Sequence, residues 1–322
     1  MITINAQQLT QGWAVAVSCL AADDKPTAFT PPGVYPPGPV PIPNGAELLE
    51  IDTGKTYRFD ADSAAWFPQP AAQEIEIVNN AGAHNGIYRG KYLGSAVTAE
   101  QYAAIGAGTF DDLYIGDYWT IGGVNYRVAA FDYWLHCGDT ECTTHHIVVV
   151  PDTCLYNAQM HNTTSGAYTD GAENNPVTGA YVGSDMYTTN LAQAKTTINN
   201  AFGAAHILNH REYLKNAVNG AYESAGAWYD STVELMTEQM VYGGKIFANA
   251  LQAGSLAAQY TIDKSQLPLF ALEPSRICNR AYFWLRDVAS SADFAIVGDG
   301  GHANAVSSSF PFGVRPAFGI KA

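Results

Sequence analysis

The sequence predicts an α+β fold, with strands gathered at the two ends of a large domain and helices in its middle. Three observations point there. Alternating apolar and aromatic runs flank Gly-rich turns around residues 114–131 and again around 294–306. Helix-start spacings fall between residues 188 and 234. Apolar residues make up 47% of the 322-residue chain and charged residues only 14%, the balance of a polymer that folds around a core.

Residues 1–25 read as an N-terminal arm, a docking or oligomerising strand. Within it, Trp13-Ala14-Val15-Ala16-Val17-Ser18-Cys19-Leu20 has the look of a signal-peptide core, yet Met1 to Gly12 contains no Lys or Arg to supply the basic segment. A strand burying alternate side chains accounts for it better. Residues 26–44 are rich in proline, which removes ladder donors and favours extended polyproline II, so this stretch is expected to be a semi-rigid spacer. Residues 45–70 predict a small β-meander: Glu47–Ile51, Thr56–Phe59 and Ala64–Phe67 are separated by Asp/Gly turns, and Pro68-Gln69-Pro70 closes it.

The main domain, residues 74–322, opens on Glu74-Ile75-Glu76-Ile77-Val78. Thr98-Ala99-Glu100-Gln101 has capping-box spacing and predicts a helix to about Ile105. Tyr114–Ile121 and Val124–Phe131, joined by Gly122-Gly123, predict a hairpin. His145–Val150 reads as a buried strand. Leu191, Ala194, Ile198 and Phe202 recur at helical spacing after Thr188-Thr189 and stop at Gly203. Asn209–Glu212 and Ser231–Glu234 also have capping-box spacing and predict helices ending near Gly220 and Gly243.

At the C-terminus, Phe294–Val297 and His302–Val306 flank Gly298-Asp299-Gly300-Gly301, a hairpin with a flexible tip. Pro316 suits an edge, a bulge or a strand start. From Asp287 to Ile320 there is no Lys, Glu, Gln, Met or Trp, so short polar residues fill an aromatic frame. The frame is Trp284, Phe294, Val314 and Phe318. The exposed, ligand-binding face is expected at Asp287, Ala289, Asp293, Gly298, Asp299, His302 and Asn304, with Tyr282 as an aromatic anchor. The plain alternative is a Ser/Ala/Gly-rich surface loop.

The run Trp284-Leu285-Arg286, Phe294-Ala295-Ile296-Val297, Ser307-Ser308-Ser309 and Gly313-Val314-Arg315-Pro316-Ala317-Phe318 resembles the C-terminal end of phage structural proteins with a C-type-lectin-like domain, many of them targets of diversity-generating retroelements. The likeness extends upstream through Thr143-Thr144-His145-His146, Val149-Val150-Pro151-Asp152, Gly179–Ser184, Ile207–Leu214 and Ala225–Ser231, covering most of the chain beyond about residue 75. The resemblance implies a virion surface protein, a fibre or head/tail appendage made in the bacterial cytoplasm. It would bind a host cell-surface protein or glycan through the C-terminal face and other virion proteins through the N-terminal arm. Avidity favours several copies, with a homotrimer expected. A lectin-like fold would pair Ile75–Val78 or Ile87–Leu93 with Val314–Ile320. A capsid decoration protein and a glycan depolymerase are the alternatives.

The remaining chemistry argues against catalysis and cofactors. A formal charge of −14 opposes contact with polyphosphates, so nucleic acid is excluded as a partner. No apolar run reaches the ~18 residues of a membrane span, and no membrane insertion is expected. Five cysteines are odd in number and sparse, as in a reduced protein. His136, Cys137, Cys142, His145 and His146 are dense in potential zinc ligands but lack the paired-knuckle spacing, so buried cysteines and a core histidine hydrogen bond are expected instead. Cys278 stands without a nearby second cysteine, unlike the cysteine pair of formylglycine-generating enzymes of the wider fold. Asp287, Asp293, Asp299 and His302 could meet as hydrolytic groups, but their spacing does not specify it. Glu273-Pro274-Ser275 departs from the calcium-lectin sugar motifs at its third position. No metal is expected.

Overall fold

The computed structural model describes residues 2–9, 13–69, 79–161, 179–219, 222–247, 265–290 and 292–322. The chain divides into two compact units, Met1–Ile77 and Val78–Ala322. The strand expected at Ile75–Val78 and the helix end expected at Gly220 lie outside the described residues.

The first unit contains β1 (Thr3–Gln8), β2 (Trp13–Cys19), β3 (Ala28–Phe29), β4 (Val40–Pro41), β5 (Glu47–Glu50), β6 (Thr56–Asp60) and β7 (Ala65–Pro68). Five of these form one sheet in the order β1-β2-β5-β6-β7. Residues 1–25 are therefore not a separate arm: β2 pairs in parallel with β5, Ala16 opposite Glu47 through Cys19 opposite Glu50. Parallel neighbours need a long crossover. The Pro-rich stretch supplies it, and it is part of the fold rather than a spacer. Its Phe29 and Ile42 are buried with Val15, Val17, Cys19, Leu48 and Phe59 in one core, and Trp66 Nε1 donates to the Pro26 carbonyl at 2.8 Å. Lys25 Nζ lies 2.7 Å from Glu50, whose side chain is 3% exposed. Hydrogen bonds from Lys25 and Thr53 hold the Glu50 carboxyl at about 2.

The second unit begins with α1 (Ala81–His84), β8 (Tyr92–Gly94), α2 (Ala99–Ala107), β9 (Tyr118–Ile121), β10 (Val124–Phe131), β11 (Ile147–Pro151) and β12 (Tyr156–Ala158). A π-helical turn at Met186–Asn190 leads into α3 (Leu191–Phe202), then β13 (His210–Asn219), β14 (Tyr222–Ser231), β15 (Val233–Leu235), α4 (Glu238–Tyr242) and α5 (Pro268–Leu272). The chain closes with β16 (Phe283–Val288), β17 (Asp293–Val297), β18 (Ala303–Ser307), β19 (Phe312–Val314) and β20 (Pro316–Ile320). The fold is mixed and sheet-rich with few helices. One sheet has the order β15-β20-β11-β10-β9-β8, a second β12-β19-β16-β17-β18, and β13 pairs with β14.

Several local expectations hold for physical reasons that the coordinates make explicit. Thr98 and Gln101 form the reciprocal capping box that starts α2. Leu191, Ala194, Ile198 and Phe202 are the buried stripe of α3, where Phe202 packs its ring against Tyr126 and Phe318. Every residue of β11 is buried. Pro316 occupies a strand start, not an edge, because β20 runs between β15 and β11.

One expected helix is a strand, and another begins as one before turning helical. His210, Glu212 and Leu214 are buried while Arg211 and Tyr213 are partly exposed, a period of two that a helix cannot satisfy. The spacing Ser231–Glu234 is not a cap: Ser231 Oγ donates to Glu234 Oε1 at 3.1 Å inside the protein, and the helix that ends at Gly243 starts later, capped by Thr237. The expected closure also differs. Ile87–Leu93 does not lie beside the C-terminal strand; β8 forms the far edge of the sheet, and β20 pairs with β11 and β15. Among the described residues no helix is long and apolar enough to cross a membrane.

Candidate ligand-binding surface at the C-terminal hairpin

Strand β16 is the floor of the candidate site, with all six residues buried. Trp284 is fully buried and donates its Nε1 to the Ala158 carbonyl at 2.8 Å. The pairing of β16 with β17 is interrupted: Trp284 faces Ile296, but the next partner is Val288 with Phe294. The bulged stretch between them turns away from the ladder, and Arg286 N donates to the Met236 carbonyl at 2.9 Å. Asp287 is carried inward by this bulge. It is 8% exposed and its Oδ2 accepts from Glu238 N at 2.6 Å, at the start of α4. Asp287 is thus a structural acceptor and not part of the exposed face.

Arg286 anchors a buried polar group. Its guanidinium lies 2.9 Å from Glu212 Oε2, and His210 Nε2 lies 3.2 Å from Glu212 Oε1. Burial pushes the Glu212 carboxyl up, but Arg286 and His210 outweigh it and hold Glu212 well below the usual range. Glu234, accepting from Tyr181 OH at 2.7 Å, is pushed up by burial. Arg315 is also buried and donates to the carbonyls of Pro151, Ile277 and Arg276, with burial pulling it down to about 10. Through Ile277 and Arg276 it ties the closing strand to the loop that carries Tyr282.

Of the eight expected face residues, six divide between two ends of the hairpin, while Asp287 points inward from β16 and Asn304 sits within β18. Asp293 opens β17, where Ser290 Oγ donates to its Oδ2 at 2.8 Å and Ala289 N donates to its carbonyl at 2.9 Å. Ala289 and Asp293, both half-buried, form that turn. Tyr282, Gly298, Asp299 and His302 lie at the other end, since Phe283 faces Val297 and Val297 faces Ala303. A five-residue strand separates the ends by roughly 13 Å. Asn304, half-buried within β18, accepts from Ala305 N. The aspartates therefore do not converge on one hydrolytic centre.

The tip is braced. Gly298 N donates to the His302 carbonyl at 2.7 Å and Gly301 N to the Gly298 carbonyl at 2.9 Å. Cys278 Sγ donates to the Asp299 carbonyl at 3.1 Å and Tyr242 OH to the Gly301 carbonyl at 3.1 Å. A Cβ at Gly298 would sit 2.2 Å from the His302 ring, so Gly298 is a buried seat for the histidine rather than an exposed contact. Asp299 and His302 are exposed.

Beside them Tyr282, 38% exposed, stacks on Phe312 at 5.0 Å, and Phe312 stacks on Phe310 at 5.5 Å with an interplanar angle of 8°. Phe310 is 49% exposed. Arg280 is exposed and holds φ +62°, two residues before Tyr282. Arg280 and Phe310 were not anticipated. Phe310 was legible in principle, as a large apolar residue stranded between Ser309 and Pro311; the Arg280 turn has no comparable signal. The tip end thus offers a cation, an anion, an imidazole and aromatic rings on a buried frame, a set suited to recognition by stacking and hydrogen bonding.

The other candidate centres resolve into local contacts. His146 is buried, accepting at Nε2 from Trp134 N at 3.0 Å, while His145 Nδ1 lies 2.8 Å from Asp132 and His136 Nδ1 2.5 Å from Glu141. Cys137 and Cys142 are buried, Cys137 Sγ donating to the Leu135 carbonyl at 3.5 Å and Cys142 Sγ to the Thr144 carbonyl at 3.8 Å. Among the described residues no group of three or more His, Cys, Asp or Glu could hold a metal ion. Cys278 Sγ is engaged with the Asp299 carbonyl, while the next residue, Asn279, donates its Nδ2 to Cys154 Sγ at 3.2 Å, and burial raises the Cys154 thiol. Ser275 donates to Glu273, so that stretch satisfies itself locally. Comparisons with family models, with curated proteins and with solved structures find no match.

Proposed function

We propose that the protein is a phage or prophage structural protein of the virion surface, a fibre or appendage subunit with a C-type-lectin-like second unit that binds a host cell-surface protein or glycan. The supporting observation is the contrast at the C-terminal hairpin: Asp299, His302 and Tyr282 are exposed at the end of β16 and β17, whose own side chains are almost wholly buried. Such an arrangement lets contact residues change without moving the backbone that presents them. Recognition rather than catalysis is its role. The sequence resemblance supports the same reading, and the first unit is the natural attachment to the rest of the particle.

Binding of the purified full-length protein to host cells and to a glycan array tests this. The expected result is saturable binding that falls when Tyr282, Asp299 and His302 are replaced together by Ala. Binding that is absent, with particles instead losing thermal resistance when the protein is omitted, would support a capsid decoration role in its place.

A further inference from the structure

The first unit carries an unguarded sheet edge. β1 pairs with β2 over six consecutive residues, Thr3 opposite Ser18 through Gln8 opposite Trp13, without a register shift. Among the described residues no strand pairs with its outer side. Edges of this kind are normally blunted by charge, proline, a bulge or shortness. Thr3-Ile4-Asn5-Ala6-Gln7-Gln8 has none of these. The other outer strands of the large sheets are shorter: β7 has four residues and ends on Pro68, β18 has five, and β8, β12 and β15 have three each.

Its two faces are also self-complementary. Ile4 and Ala6 pack half-buried at the margin of the core, whereas Thr3, Asn5 and Gln7 are exposed on the opposite face. Two copies related by a two-fold axis perpendicular to the sheet would pair antiparallel with each face kept on its own side. Residues of equal parity then lie opposite one another. With the axis at Asn5, Ile4 meets Ala6 of the second copy, Thr3 meets Gln7, and Asn5 meets its own counterpart. Ile4 faces Ala6, the Thr3 hydroxyl faces the Gln7 amide, the Asn5 amide faces its own counterpart, and no like charges meet.

We propose that the protein pairs with a second copy of itself through β1, joining two five-stranded sheets into one across a two-fold axis at Asn5. This inference is independent of what the C-terminal hairpin binds. Light scattering of the full-length protein should give twice the 34.5 kDa chain mass. Asn5→Lys and Asn5→Glu each place like charges face to face at the axis and should each yield a monomer. Their equimolar mixture should regain the doubled mass. Asn5 is exposed, so melting temperatures of the variants should match the parent protein's dissociated chain. Asn5→Cys should cross-link on mild oxidation and separate on reduction. A monomer or trimer mass for the parent protein, a pair that survives Asn5→Lys, a mixture that stays monomeric, or an Asn5→Cys variant that does not cross-link would each overturn the proposal.

Discussion

Asp287 and Asp299 belong to the same short polar stretch of sequence, yet one accepts a hydrogen bond from Glu238 N inside the protein and the other lies exposed on the hairpin tip. The difference lies in the backbone. A bulge in β16 swings Asp287 inward, while the Gly-rich turn after β17 carries Asp299 out. Asp287 sits between Arg286 and Val288 in a strand and Asp299 between two glycines in a turn; pairing register places the first in the frame and the second in solvent.

The contrast breaks most readily in the frame. Trp284→Ala empties a fully buried site and should cost about 3–5 kcal/mol, read as a lowered midpoint in urea unfolding. Glu212→Gln leaves Arg286 buried with a weakened partner and should destabilise by up to about 3–5 kcal/mol at neutral pH. The pH dependence sharpens this. Glu212 has a depressed folded-state pKa, so its contribution is complete above the unfolded value of about 4.3 and disappears as pH falls toward the folded value. Acid unfolding of the Glu212→Gln variant should therefore be shallower than that of the parent protein. Glu234 is shifted the other way: its folded-state pKa is raised, so its contribution is present at low pH and lost as pH rises through that value. Glu234→Gln should be milder than Glu212→Gln at neutral pH. Equal losses from the two substitutions would contradict the opposed shifts.

Asp287→Ala should cost about 1–3 kcal/mol by stranding the buried Glu238 N–H. Asp299→Ala should change stability by no more than about 0.5 kcal/mol. Similar melting curves for these two variants would erase the distinction between support and surface.

Much of the frame was legible because local chemistry and tertiary packing agree there. The α2 capping box, the buried stripe of α3 and the β17–β18 hairpin each state one structure at both levels. The strand at His210–Asn219 was missed because a capping-box spacing is a weak signal beside the two-residue burial period that follows, and Val233–Leu235, buried at all three positions, is too short to show a period at all. The unity of the first unit was hidden for another reason: parallel pairing of β2 with β5 is a long-range contact, and the prolines between them resemble a linker until Phe29 and Ile42 are seen in the core. At the candidate site, exposure of Asp299 and His302 follows from the turn. The burial of Asp287 does not, since no residue type marks the bulge in β16.

If the tip carries the proposed binding, the frame should hold its shape when the tip residues are removed. Host-cell binding and thermal unfolding should be measured together for the Tyr282→Ala, Asp299→Ala, His302→Ala triple variant of the full-length protein. Binding should be lost with a small change in melting temperature, because Asp299 and His302 are exposed and Tyr282 lies at the outer part of its aromatic stack. A variant that binds as well as the parent protein, or one that loses binding only because it no longer folds, would contradict it.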